Sequence, residues 1–480
     1  MSSRRCVSAL VTVGVLAACS PGALAATPGK WERVTDPNGR NIDQAARQRT
    51  ADGTLHLAWA LQESGGTSLF HTPISATGAV GATTPIQTGW STINSVPDLV
   101  PTPDGGIRVF FGGIRTTNSD ETNDELSTAT APASGAPWAL TTGNVTPGGA
   151  AAYASDVGAT VLADGTPLQS WGGTGAGVFV HQGLSPSSPN HAYQSQLGGC
   201  CGYSPDLAVD SASGVVFVAW YSNASDNLGV FVQPVDPGSG APLATPQLMP
   251  GTVTDFSGRP SSSQMLARTP ITARPGQPGV FVAYPGGYPT TTKVLVWQIG
   301  GKLSVLDNSK ANHLVGLAAD PNGRLWGIWA IQGGTPAVFA RRSNLAATKW
   351  GPRVAAGAPK GAASVYKIDG DAQLGRLDLL GLFGSTGSTA TWHSQLLPGL
   401  SLAAKPSKTK HAKTEVTFTV TDPDPVPGAK VKVPGDSGTT DSKGKVTLDV
   451  GPFGSKVKKT KATATKSGYK SGKLTMKVSG

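Results

Sequence analysis

Ser213-Gly214-Val215-Val216-Phe217-Val218-Ala219-Trp220 is the stretch that decides the fold. A tight Ser-Gly turn feeds a short apolar run that ends on an aromatic residue, the pattern of a strand entered from a hairpin. The same element recurs along the chain. Asp52-Gly53 leads to Trp59, Asp104-Gly105 to Phe110-Phe111, Asp164-Gly165 to Trp171, Pro278-Gly279 to Tyr284, and Asn322-Gly323 to Trp329. A degenerate copy runs from Leu374-Gly375 to Phe383. Successive glycines are 52, 60, 49, 65, 44 and 52 residues apart. Composition agrees: 63 of 480 residues are Gly and 37 are Pro, both helix breakers, while 11 Trp argue against disorder.

Each copy follows an apolar strand such as Asp206–Val209 and precedes a third strand such as Gly229–Val232 or Ala337–Ala340. With a weaker outer segment, this makes four strands per ~50 residues, the unit of a β-propeller blade. The expected fold is all-β, a seven-bladed propeller over residues 26–400, with six blades as the alternative because two spacings are long. Lys30–Val34 has no repeat of its own and resembles the outer segments near Trp90 and Trp350. It is expected to supply the last strand of the seventh blade and close the ring.

Ser343-Asn344-Leu345-Ala346-Ala347-Thr348-Lys349-Trp350 keeps the Ser and Trp of an Asp-box, and Ala131–Trp138 keeps its Gly and Trp. On these motifs the chain resembles the sialidase-like, Asp-box (BNR) propellers. That resemblance implies a fold more than an activity. A sialidase would require three Arg on a substrate carboxylate, a Tyr nucleophile with a Glu base, and an acidic proton donor. Arg47, Arg49, Arg115, Arg259, Arg268 and Arg376 are available, as are Tyr203, Tyr284, Tyr288 and Tyr366. Glu is not: beyond Glu125 the only one is Glu415.

Residues 401–412, rich in Lys, Ser and Pro, read as a linker, and 413–480 as a small β-sandwich. Val426-Pro427-Gly428-Ala429-Lys430-Val431, Thr440-Asp441-Ser442-Lys443-Gly444 and Ala464-Thr465-Lys466-Ser467-Gly468-Tyr469 resemble, in order, the motifs of bacterial Ig-like, carboxypeptidase-regulatory-like domains. The resemblance implies a spacer or stalk. Residues 401–480 hold 16 Lys, no Arg and 6 acidic residues, whereas residues 1–400 hold 23 basic and 23 acidic ones. The whole net charge of +10 therefore sits in the C-terminal segment. Its lysines alternate with Val, Thr and Ala. They read as a solvated sheet face or as a dock for an anionic envelope polymer. Nucleic acid is not expected, since Arg and interleaved aromatics are missing.

Arg4 and Arg5, an apolar run from Val7 to Ala18, and Ala23-Leu24-Ala25 form a signal peptide over residues 1–25. The protein is expected outside the cell or on its surface. Leu16-Ala17-Ala18-Cys19 offers the alternative of a lipidated Cys19. No later segment is apolar and long enough to span a bilayer. Cys200 and Cys201, adjacent between glycines, read as a vicinal disulfide or as two thiols.

The residues that open each first strand are expected at the channel mouth: Asp43, Asp98, Asp156, Asp206, Arg268 and His313. Such a ring would bind a cation, a polyol or a basic group. The structural alternative is that each Asp caps a turn and ties down a neighbouring strand. Asp120 and Asp124, in an acidic loop, offer oxygen ligands for Ca²⁺ without EF-hand spacing. No other cofactor is expected. The combined expectation is an exported or surface-tethered binding protein with a glycan, envelope polymer or protein partner. An extracellular sialidase-like glycosidase or lyase is the alternative.

Overall fold

The computed structural model describes residues 27–479 apart from 36–39, 42–43, 94–95, 116–124, 142–144, 146–153, 174–176, 198–201, 225, 253–267, 288–291, 310–312, 333–334 and 386–387. The protein is an all-β propeller. Among the described residues before 401, the strands form seven antiparallel sheets. Their first strands are Ala46–Arg49, Asp98–Pro101, Ser155–Val161, Gly202–Val209, Ile271–Arg274, His313–Ala319 and Ser364–Asp371. One cavity is walled by Arg47, Asp98, Ala159, Asp206, Ile271, Leu317 and Asp371, one residue from each first strand. The sheets therefore surround a common axis.

Ring closure follows the sequence expectation. Trp31–Arg33 pairs with Ser388–Leu396, placing Trp31 opposite Ser394 and Arg33 opposite Trp392. The N-terminal strand is thus the outer strand of the last sheet.

The repeated aromatic has a physical reason. Trp59, Trp171, Trp220 and Trp329 on second strands lie directly opposite Phe70, Phe179, Phe231 and Phe339 on third strands. Ring centroids are 5.0, 5.8, 6.0 and 5.8 Å apart. Cross-strand aromatic pairs of this kind contribute about 0.5–1.5 kcal/mol beyond area burial. The hairpin turns explain the glycines: Gly53, Gly105, Gly165, Gly214, Gly323 and Gly375 all have φ between 72° and 86°, where a side chain would be strained. In the fifth sheet the turn glycine is Gly276, not the expected Gly279, which lies inside the strand Gln277–Gly286.

Both Asp-box remnants lie between third and fourth strands. Ser343–Trp350 joins Ala337–Arg342 to Val354–Gly357, and Asn344 Oδ1 accepts the Thr348 and Lys349 N–H groups at 2.8 and 2.9 Å. Asn344 thus satisfies turn amides at the position following the Ser.

The segment read as a linker is strand. Ser401–Lys405 pairs with Thr414–Asp422, and Lys408–Lys410 pairs with Gly472–Ser479. Its polar composition misled because it contributes only Leu402 and Thr409 to the buried side. Residues 401–479 form two sheets around one core that includes Val416, Phe418, Val431, Val450, Ala462 and Met476.

This C-terminal unit is docked on the sixth propeller sheet. Arg342 forms an ion pair with Asp422, Arg324 pairs with Asp424 at 2.7 Å, and Leu345 N–H donates to Asp424 Oδ2 at 2.9 Å. Burial pushes the Asp422 carboxyl up to about 6, against the pull of Arg342.

Candidate functional site: a charged layer on the propeller axis

Three aspartates repeat one local arrangement. Asp98, Asp206 and Asp369 sit on the first strands of the second, fourth and seventh sheets. Each accepts the N–H of its successor, from Leu99 at 2.9 Å, Leu207 at 2.8 Å and Gly370 at 2.8 Å. What surrounds them then differs.

Asp98 is fully occupied. Its Oδ1 also takes a guanidinium N–H of Arg268 at 2.9 Å, and its Oδ2 accepts the Ala159 N–H of the next sheet at 2.7 Å. Arg268 donates further to the carbonyls of Pro97 and Val157, at 2.5 and 3.1 Å. Burial alone would lower the Arg268 pKa, but the carboxylates of Asp98 and Asp206 hold it above its ordinary value. Asp98 therefore fits the structural alternative: it ties adjacent strands together.

Asp369 is held likewise. Arg47 donates to its Oδ1 at 2.9 Å and Gln44 to its Oδ2 at 3.1 Å. The Arg47 guanidinium is also raised, its burial outweighed chiefly by Asp369.

Asp206 is the exception. The one hydrogen bond to its carboxylate among the described residues is from Leu207. Burial pushes its carboxyl well above the usual range; Arg268 pulls the other way and the negative charge of Asp98 adds to the rise. Gly158 lets this strand approach: a Cβ there would lie 2.7 Å from Asp206 Cα and 2.9 Å from its Oδ1. The cavity it lines, about 400 Å³, extends from this layer toward the ends of the first strands, past Thr160, Thr272 and Gln373. A second depression of about 490 Å³ continues it near the hairpin turns, lined by Arg49, Thr50 and Leu374.

Of the expected ring, the structure brings together Asp98, Asp206 and Arg268. His313 stands elsewhere: its Nε2 is 3.0 Å from Asp307 Oδ2, at the outer strand of the fifth sheet, and 3.1 Å from Ser309 Oγ. Asp156 is not on the cavity wall; it occupies a bulge with φ 51° and accepts the Ser204 hydroxyl at 3.3 Å. Asp43, Cys19, Cys200, Cys201, Asp120 and Asp124 lie outside the described residues. Among the described residues, no group of three His, Cys, Asp or Glu is placed to hold a metal. None of their helices is long and apolar enough to cross a membrane.

Asp369 and Gln373 were not anticipated as site residues, and Arg47 was named only among the available Arg, not at the channel mouth. The signal for Asp369 was present in Ser364–Asp371, the first strand of the degenerate seventh copy. Two further buried networks were also unanticipated. Arg49 bridges Asp371 at 2.6 Å and Asp378 at 2.7 Å, and Asp378 accepts from His393 at 2.9 Å. His56 Nδ1 and His71 Nε2 are 2.9 Å apart, both rings buried, with Thr50 Oγ1 3.0 Å from the far nitrogen of His56. Burial lowers both imidazoles, His71 to about 4.

No family model and no curated protein matches the chain. Solved structures do resemble it in form. A polysaccharide lyase of family PL25, an ulvan lyase bound to a GlcA–Rha3S sugar, shares 10% identity at a TM-score of 0.47, covering 76% of this chain and 94% of that one. The intramolecular trans-sialidase from Ruminococcus gnavus shares 8% at 0.48, covering 78% and 98%. An α-L-arabinanase from Penicillium chrysogenum shares 12% at 0.41, covering 68% and 99%. None of them lends a residue role to this chain.

Proposed function

We propose that this is an exported or surface-tethered bacterial binding protein. In this reading a seven-bladed propeller takes a segment of glycan or envelope polymer at its axis, and an Ig-like C-terminal domain carries it as a stalk. The observation that carries the reading is the division of labour among the axial carboxylates. Asp98 and Asp369 are used up by Arg268 and Arg47, while Asp206 faces a polar cavity with a carboxylate oxygen to spare. Asp206 with Thr160, Thr272 and Gln373 offers acceptors and donors of the kind that hydroxyl groups of a sugar satisfy.

The enzyme alternative rests on the direction in which burial shifts Asp206: a carboxyl held above its usual range keeps its proton longer and can serve as a donor. Glycoside hydrolysis of the usual kind needs a second, available carboxylate. The nearest ones on the axis, Asp98 and Asp369, are committed to Arg. Binding is therefore preferred.

The test is an array of glycans and envelope polymers probed with the full chain, with released sugar assayed on the same spots. Saturable binding without product, lost on Asp206→Asn and on Gln373→Ala, is expected. Released product would turn the reading to the enzyme. Silence on every glycan would sink it.

A further inference from the structure

The five-stranded sheet of the C-terminal unit runs in the order Lys408–Lys410, Gly472–Ser479, Lys459–Thr465, Lys430–Val433, Asp436–Thr439. Along its first four strands the inward positions include the buried Thr409, Met476 and Val478, Thr460, Ala462 and Ala464, Val431 and Val433. The alternate positions of the first four strands all point outward. They hold eight lysines, the remainder being Thr or Ser, with no carboxylate and no aromatic.

The pairing register puts like charges side by side. Lys477 is opposite Lys408 on one flank and Lys459 on the other, so three ammonium groups form a row across three adjacent strands. Strands are ~4.8 Å apart, and like charges directly opposite one another are destabilising. Lysine is common on edge strands, where it prevents sheet-to-sheet pairing. That explanation covers Lys408 and Lys410 but not Lys459, Lys461, Lys473 and Lys477, which lie on inner strands.

The acids of this unit do not relieve the row. Asp422 and Asp424 are engaged by Arg342 and Arg324 of the propeller, Asp449 by Lys413, and Asp441 by the Lys443 and Lys445 N–H groups of its own turn. Asp436 accepts the Asp449 N–H, and Glu415 lies on the other sheet, opposite Asp449. A flat face with its charge left uncompensated by the fold fits a charged partner from outside.

We infer that this lysine face binds an acidic polysaccharide, one carrying carboxylates along an extended chain. Rows of ammonium groups match a polymer whose charges recur at regular steps. The interleaved Thr463, Thr475 and Ser479 hydroxyls meet the polymer's own hydroxyls. Nucleic acid is a poorer fit, because the face has neither Arg for bidentate phosphate contacts nor rings for stacking. A lipid surface fits less well too, because nothing apolar projects from the face to insert. The inference is independent of the axial cavity, and either site can fail alone.

The test titrates the full chain with polygalacturonate over a range of salt. The triple variant Lys459→Gln, Lys473→Gln, Lys477→Gln is compared with Lys405→Gln, Lys443→Gln, Lys445→Gln, which removes the same charge away from the face. The face variant is expected to bind about tenfold or more weakly at low salt and to show a shallower dependence of affinity on salt, since fewer counterions are released. The control is expected to stay within about twofold, and lysine-to-arginine changes at the three face positions to retain binding. Equal weakening in both triples would overturn the inference. So would failure of the natural chain to bind polygalacturonate, or tighter binding to single-stranded DNA or to anionic vesicles.

Discussion

The propeller and the C-terminal unit handle charge in opposite ways. The propeller turns part of its balanced charge inward and pairs it: Asp98 with Arg268, Asp369 with Arg47, Asp371 and Asp378 with Arg49. The C-terminal unit keeps an apolar core and turns its excess of lysine outward, with Lys413 paired to Asp449. A buried charge requires a partner of opposite sign and hydrogen bonds for its remaining atoms, whereas a solvated charge requires neither. An incompletely partnered group therefore means something different in each region. Among the three axial carboxylates it singles out Asp206; on the sheet face it describes a whole surface.

Removing a partner in the first region has the largest expected effect. Arg268→Met leaves Asp98 buried without its cation, and a loss of about 3–5 kcal/mol in unfolding free energy is expected from denaturant titration. A loss below about 1 kcal/mol, the range of exposed pairs, would show that the axial layer is solvated and the contrast false.

Next comes the buried imidazole pair. His71 has a folded pKa lowered from 6.5 to about 4, and His56 is lowered as well. The unfolded chain therefore binds protons that the folded chain does not. Their contribution to stability is complete above pH 6.5 and is lost as the pH falls toward 4, on the order of 3 kcal/mol for His71. His71→Gln should flatten that part of the stability profile, measured by thermal or denaturant unfolding at a series of pH values. An unchanged slope would place the acid lability elsewhere.

The smallest effect belongs to the second region. Lys477→Thr removes the middle charge of the row formed with Lys408 and Lys459. Stability should change by less than about 0.5 kcal/mol, with a gain more in keeping than a loss, because a like-charge contact is relieved. A loss above about 1 kcal/mol would mean that the lysine has a partner in the fold.

Much of this was legible in the sequence because a strand writes its burial at every second residue. The apolar runs ending in Trp59, Trp171, Trp220 and Trp329 carry the fold, and each of these Trp pairs with a Phe across the sheet. Asp98, Asp206 and Arg268 were legible because they fall at or just ahead of the same part of the repeat. Whether each is paired was not, since that depends on contacts as distant as Arg268 with Asp98. His313 was misplaced for the same reason: its partner Asp307 ends the outer strand of the preceding sheet. Asp369 was passed over because the seventh copy is degenerate, with Leu374-Gly375 at its turn. The segment 401–412 read as a linker because edge strands with few inward side chains have the composition of a loop.

The central claim is that two carboxylates in the same local arrangement have different duties, Asp98 holding the ring and Asp206 serving the cavity. The most direct test is thermal unfolding of Asp98→Asn and Asp206→Asn side by side at neutral and alkaline pH. Asp98→Asn is expected to lower the midpoint by several degrees at both, since Arg268 loses its buried counter-ion. Asp206→Asn is expected to leave the midpoint unchanged or higher. Its folded pKa is raised, so ionising it costs stability, and the variant should lose less stability as the pH rises above the ordinary carboxylate range; burial raises Asp98 as well, so the sign of the midpoint change is what separates the two. Equal destabilisation by the two changes, or a larger fall for Asp206→Asn, would contradict the account.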